Sequence, residues 1–132
     1  MRIPVVFLAL CLVLGPLTGI QAGEGATPPQ PSYFELKPSL ITNLAKGGKY
    51  VRADIQLMTL DPELLPDIEL HAPAVRDALL MLLSEQDGKV LRTPKGKEEL
   101  RQRMMEQARK VMRDITGKSS IDELLFTAFF VQ

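Results

Sequence analysis

The 132 residues give room for one domain, and 45% hydrophobic against 24% charged side chains is a composition that folds around a core. Sixteen basic and sixteen acidic residues cancel to a formal net charge of zero, which excludes a protein that grips nucleic acid through a broad positive field. The single cysteine, Cys11, lies in the N-terminal apolar run, so the rest of the chain has no thiol for a disulfide, a Cys-ligated zinc or a cysteine nucleophile.

The chain opens with Met1-Arg2, an apolar run over residues 5–14, the helix-breaking Gly15-Pro16, and a possible cleavage point after Ala22. This is the layout of an export signal. Ten helical residues cover about 15 Å of a bilayer core of about 30 Å, so residues 1–22 read as a removed signal or a short retained anchor. Residues 23–32, with Pro28, Pro29 and Pro31, read as an extended linker. Residues 33–132 form the folded domain.

Residues 33–36 and 40–44 have an extended pattern interrupted by Pro38, which lacks a ladder donor and so predicts an edge or a bend. Lys46-Gly47-Gly48-Lys49 predicts a hairpin turn into residues 50–57, where Val51, Ala53, Ile55 and Leu57 alternate with polar groups as in a half-buried strand. Asp61-Pro62-Glu63 supplies a cap, a proline at the first helical position and a carboxylate at the positive helix end. The stripe that follows, Leu64, Ile68, Ala72, Val75, Leu79 and Leu82, predicts an amphipathic helix ending near Asp87-Gly88. Pro73 predicts a kink or break between Leu70 and Ala74.

Thr93-Pro94 starts a second helix with the stripe Leu100, Met104, Ala108, Val111 and Ile115, closed by Gly117. Over residues 121–132, strict alternation puts Leu125, Phe129 and Val131 on one side and Leu124, Phe126 and Phe130 on the other. A strand with two apolar faces has to be covered on both. Phe126, Thr127, Phe129, Val131 and Gln132 are therefore expected in a structural closing strand paired with the strand that starts at Tyr50. The fold class is α+β, a small antiparallel sheet of an N-terminal hairpin and a C-terminal strand with two amphipathic helices.

Catalytic chemistry finds little support. His71 is the only histidine, and a metal site would have to join it to carboxylates such as Asp67 and Glu69, without the repeated His or Cys of metal motifs. Lys95-Gly96-Lys97 lacks the first glycine and the hydroxyl of a phosphate loop. No catalytic residue, cofactor or metal is assigned. Charge is more informative: residues 54–87 carry eight acidic side chains against Arg76 alone, and residues 89–118 carry ten basic against four acidic. The two halves either complement each other within one molecule or face each other between copies. In the second case Arg101, Arg109 and Arg113 on one edge and Asp67 and Glu69 on the other are the candidate self-association residues.

Three stretches carry a resemblance: Phe126-Thr127-Ala128-Phe129-Phe130-Val131-Gln132, the segment from Tyr33 to Asn43-Leu44, and Thr93-Pro94-Lys95-Gly96-Lys97 leading to Leu100-Arg101. In this order and spacing the chain resembles the flagellar basal body protein FliL family over residues 33–132. The resemblance implies a domain similar to the stomatin and prohibitin module, on the periplasmic side of the bacterial inner membrane at the flagellar basal body. It implies the motor stator and basal body components as partners, a ring-forming homo-oligomer, and a non-enzymatic role in motility, swarming or the switching of flagellar rotation in chemotaxis. It brings no cofactor and no nucleic acid. The relatives begin with a cytoplasmic tail and a full membrane helix, whereas Met1-Arg2 and a short run stand here. The alternative is therefore a soluble periplasmic adaptor or binding module with no motor role.

Overall fold

The computed structural model describes Gly25 and residues 28–132. The signal or anchor expected over residues 1–22 and part of the linker lie outside the described residues. The elements run β1 (Ser32–Asn43), β2 (Tyr50–Thr59), a 3-10 turn (Pro62–Leu64), α1 (Leu65–Ser84), the four-residue α2 (Gly88–Leu91), α3 (Pro94–Thr116) and β3 (Glu123–Val131). The strands form one antiparallel sheet in the order β1-β2-β3. Helix α1 packs over β1 and α3 over β3, on the same face. Among the described residues no helix is long and apolar enough to cross a membrane. The α+β class is the one the sequence pattern predicts, with α2 added between the two long helices.

The middle strand organises the core. Val51, Ala53, Ile55, Leu57 and Thr59 are fully buried, which is the alternation of a sheet covered on one face. They meet Ile68, Ala72, Val75, Leu79 and Leu83 of α1 and Leu100, Met104, Ala108 and Met112 of α3. Both helical stripes leave the expected line in their last turns. Leu83 is buried where Leu82 was expected, and Met112 is buried while Ile115 is 47% exposed. Helix α1 also runs unbroken through Pro73, so of the expected kink or break the break does not occur. Pro73 sits on the exposed side, where the carbonyl deprived of its helical donor faces solvent.

The terminal strand departs most from expectation. It is an edge strand, and of its residues only Leu124 is fully buried. Its pairing with β2 slips by one residue between Asp54 and Ile55, because Asp54 faces Ala128 while Ile55 faces Phe126. Thr127 is the extra residue of this bulge, and its hydroxyl donates to the Asp54 carbonyl at 3.3 Å. The slip changes the phase. Leu124, Phe126, Phe129 and Val131 all lie opposite the core residues of β2, and Phe126 and Phe129 bring their rings to 4.8 Å. Leu125, Ala128 and Phe130 turn to the outer face, so the strand has one core face rather than two equal ones. The register of β1 slips at the same level, between Leu36 and Leu40 around Pro38, so both edge strands bulge beside Asp54.

Turns lock the far end of the sheet. Gly47, at φ +74°, makes the β1–β2 turn, and its neighbours exchange backbone bonds with the loop before α2: Ala45 N to the Gln86 carbonyl and Gly88 N to the Lys46 carbonyl. The Gln132 carbonyl accepts the amides of both Lys49 and Tyr50. Thr93 caps α3 by accepting from Gly96 N. A Cβ at Gly96 would collide with the Val90 carbonyl and lie 2.7 Å from its Cγ1. That close approach is the physical reason for a glycine in the Thr93-Pro94-Lys95-Gly96-Lys97 stretch.

Candidate functional site

The candidate self-association residues fall into two environments. Arg101 is half-buried on α3 and reaches three groups: the Glu98 carboxylate at 2.6 Å, the Glu123 carboxylate, and the Leu124 carbonyl at 3.0 Å. Two turns later, Arg109 donates to the carbonyls of Ile121 at 2.7 Å and Asp122 at 2.8 Å and pairs with Glu106. Both guanidiniums thus clamp the start of β3 onto α3. Fixed forks of donors suit such bidentate anchoring. Arg113 is exposed and lies outside these clamps, lining a polar depression with Ser119 and Ser120 and a larger groove of about 770 Å³ with Arg103, Lys110 and Leu82.

Electrostatics around the first clamp is concentrated. The Arg101 guanidinium holds the Glu98 carboxyl down at about 2, and Arg101 itself is pushed further up, by Glu98 first and also by Glu123. Because Glu98 has its folded value lowered from 4.5 to about 2, its contribution to stability is fully present above pH 4.5. It is lost as pH falls toward 2. Glu98→Gln is expected to flatten that part of the acid-unfolding curve, followed by circular dichroism, while leaving the curve above pH 5 parallel to that of the parent. An unchanged acid slope would show that Arg101 does not engage Glu98 in solution.

On the acidic side, Asp67 is half-buried and Glu69 exposed on α1. None of the eight ion pairs among the described residues joins the acidic segment 54–87 to the basic segment 89–118. The basic helix satisfies itself through Lys95–Glu99, Arg101–Glu98, Arg109–Glu106 and Lys110–Asp114. Glu63, Asp67, Glu69, Asp77 and Glu85 make no ion pair among the described residues. The two halves are therefore adjacent without being joined by ion pairs. The structure does not bring Asp67 and Glu69 to Arg101, Arg109 or Arg113 of the same molecule.

Three features of the site lay outside the sequence reading. Arg76, the lone cation of the acidic segment, reaches across to the Ser39 carbonyl of β1 at 3.2 Å, with one buried guanidinium nitrogen left unpaired among the described residues. On the outer sheet face Asp54 is lowered by the Ser39 hydroxyl and then by Arg52. Also on that face Ile41, Arg52 and Phe130 form one cross-strand row, with Ile41 and Phe130 more than half exposed. Of the closing-strand residues, Phe126, Phe129 and Val131 line the core edge and Thr127 makes the bulge. Gln132 extends the pairing one residue past β3 through its backbone. Lys97 lies over the Phe129 ring at 5.3 Å. His71 is half-buried, and no three His, Cys, Asp or Glu side chains converge among the described residues.

This arrangement is a helix-backed sheet with polarised flanks and extensive exposed surface, which suits association with other macromolecules. Comparison with known proteins gives it a family. Residues 33–132 match the family described as flagellar basal body-associated protein FliL. The flagellar protein FliL of Aquifex aeolicus (strain VF5) is 26% identical over 114 residues, covering 85% of this chain and 68% of that protein. Flagellar protein FliL of Escherichia coli (strain K12) is 27% identical over 104 residues, covering 79% and 67%. Because the family match takes in every strand and helix of the fold, the chain belongs to the FliL family of flagellar basal body-associated proteins.

Proposed function

We propose that this protein is a non-enzymatic accessory component of the flagellar motor, held on the periplasmic side of the inner membrane beside the stator. There it supports motility, swarming or the switching of rotation. The observation that carries the reading is the FliL match across residues 33–132. The geometry agrees with it: the conspicuous side chains either clamp the fold, as Arg101 and Arg109 do, or stand free for partners, as Arg113 and the α1 carboxylates do. A clean deletion in a motile host is expected to reduce the swimming or swarming radius in soft agar, with recovery on complementation. Unchanged radii across several viscosities would favour the periplasmic adaptor without a motor role.

Self-association belongs to the same reading. Asp67 and Glu69 at the start of α1 on one flank and the exposed cations of α3 on the other favour head-to-tail contacts, which close into rings when the rotation allows. Arg113 is the residue to test, because Arg101 and Arg109 also hold β3 in place. Arg113→Glu is expected to lower the sedimentation-derived mass at low salt without altering the circular dichroism spectrum. Assembly equal to the parent would remove Arg113 from the interface.

A further inference from the structure

Helix α1 is apolar on both sides. Its inward residues Ile68, Ala72, Val75, Leu79 and Leu83 fill the core. Its outward side carries Leu70, Pro73, Ala74 and Met81, with Leu70 70% and Met81 61% exposed, the two most exposed large hydrophobic side chains among the described residues. Leu70, Ala74, Asp77 and Met81 follow one another at intervals of four, three and four, a single stripe along the helix. An exposed apolar surface set among charges marks a contact.

The rim defines the chemistry of the cover. Asp77 interrupts the stripe and Glu85 follows Met81 at its end, and neither makes an ion pair among the described residues. Pro73 supplies no amide, so the Glu69 carbonyl adds a further acceptor. The surface therefore asks for an apolar stripe flanked by cations. A second copy's α3 has the cations but not the stripe, since its outward positions include Glu99, Gln102, Glu106 and Lys110.

We propose that the outward face of α1 docks a cationic amphipathic helix of a different protein. Its apolar side lies along Leu70, Ala74 and Met81, and its Lys or Arg side chains reach Asp77 and Glu85. This is the helix-on-helix form of recognition by spaced anchors, and it stands whether or not the motor reading does.

The test uses the purified full chain in neutral-lipid nanodiscs, with empty discs as the blank. The probe is a fluorescent helical peptide of about five turns, with Leu at i, i+3, i+4 and i+7 and Lys on the flanks, compared with its Glu-for-Lys counterpart. The Lys peptide is expected to bind and the Glu peptide not. Leu70→Gln with Met81→Gln, both at exposed positions, should weaken Kd by about tenfold or more. Asp77→Asn with Glu85→Gln should weaken Kd and flatten its salt dependence. Equal binding of the two peptides, or binding indifferent to Leu70→Gln and Met81→Gln, overturns the proposal. So does loss of self-association by the Leu70→Gln chain alone, which would make this face a contact between copies.

Discussion

Removing residues 129–132 is expected to abolish, or reduce to a broad remnant, the cooperative thermal unfolding of the domain. The deletion takes away Phe129 and Val131, which pair with Ala53 and Val51 of the central strand on the core face. It also removes the Gln132 backbone, which accepts from Lys49 and Tyr50 and donates to Tyr50. Burying an apolar side chain of this size contributes about 1.5–3 kcal/mol at full burial, somewhat less for these partly buried groups, and each backbone bond adds about 0.5–1.5 kcal/mol. A combined loss of about 4–7 kcal/mol is a large share of a total that is ordinarily about 5–15 kcal/mol. Calorimetry of the shortened chain decides the point. A transition as sharp as the parent's, at the same temperature, would mean that this end of β3 contributes nothing to the core.

The second large effect separates two positions of the same strand. Leu124→Ala is expected to cost about 2–5 kcal/mol, because Leu124 is fully buried against Leu57 and truncation leaves a cavity in a close-packed region. Phe130→Ala, although it removes more atoms, is expected to cost less than about 1 kcal/mol, since Phe130 lies half-exposed on the outer face beside Arg52 and Tyr50. Uninterrupted alternation would place the two residues on the same side and predict the reverse order. Urea unfolding midpoints at unchanged slope measure the difference directly. A larger loss for Phe130 would remove the Thr127 bulge from the solution structure.

What was legible in the sequence follows a physical pattern. The β2 alternation, the Asp61 and Thr93 caps, the Gly117 stop and the edge position implied by Pro38 all depend on a few adjacent residues, and each has a local cause. The pairing of the terminal strand with β2, expected from its apolar pattern, is present as well. The phase of β3 was not legible, since a single inserted residue reverses every side chain beyond it, and nothing in Thr127 itself announces the insertion. The helical stripes drifted at their ends for a related reason. Where the last turns point depends on how two helices lean over a twisted sheet, which no run of seven residues encodes.

The candidate surfaces were legible as charge and not as geometry. The acidic and basic halves stood out at once, but two of the three basic residues singled out there, Arg101 and Arg109, are committed to carbonyls of the chain before and in β3. That use could not be seen without knowing that α3 lies over β3. The outward stripe of α1 was hidden in the sequence by the inward one: Leu70 and Met81 break the predicted periodicity, and only the fold shows that they face outward.

Each border of the sheet is met by an arginine from the helix above it, Arg76 at the Ser39 carbonyl and Arg101 at the Leu124 carbonyl, and each border strand is bent by a bulge. Open strand margins are templates on which further chains stack into fibrils. With an acceptor on each margin taken and the backbone turned out of line, such growth has no straight ladder to extend. The domain can then reach high local concentration without amyloid-like polymerisation.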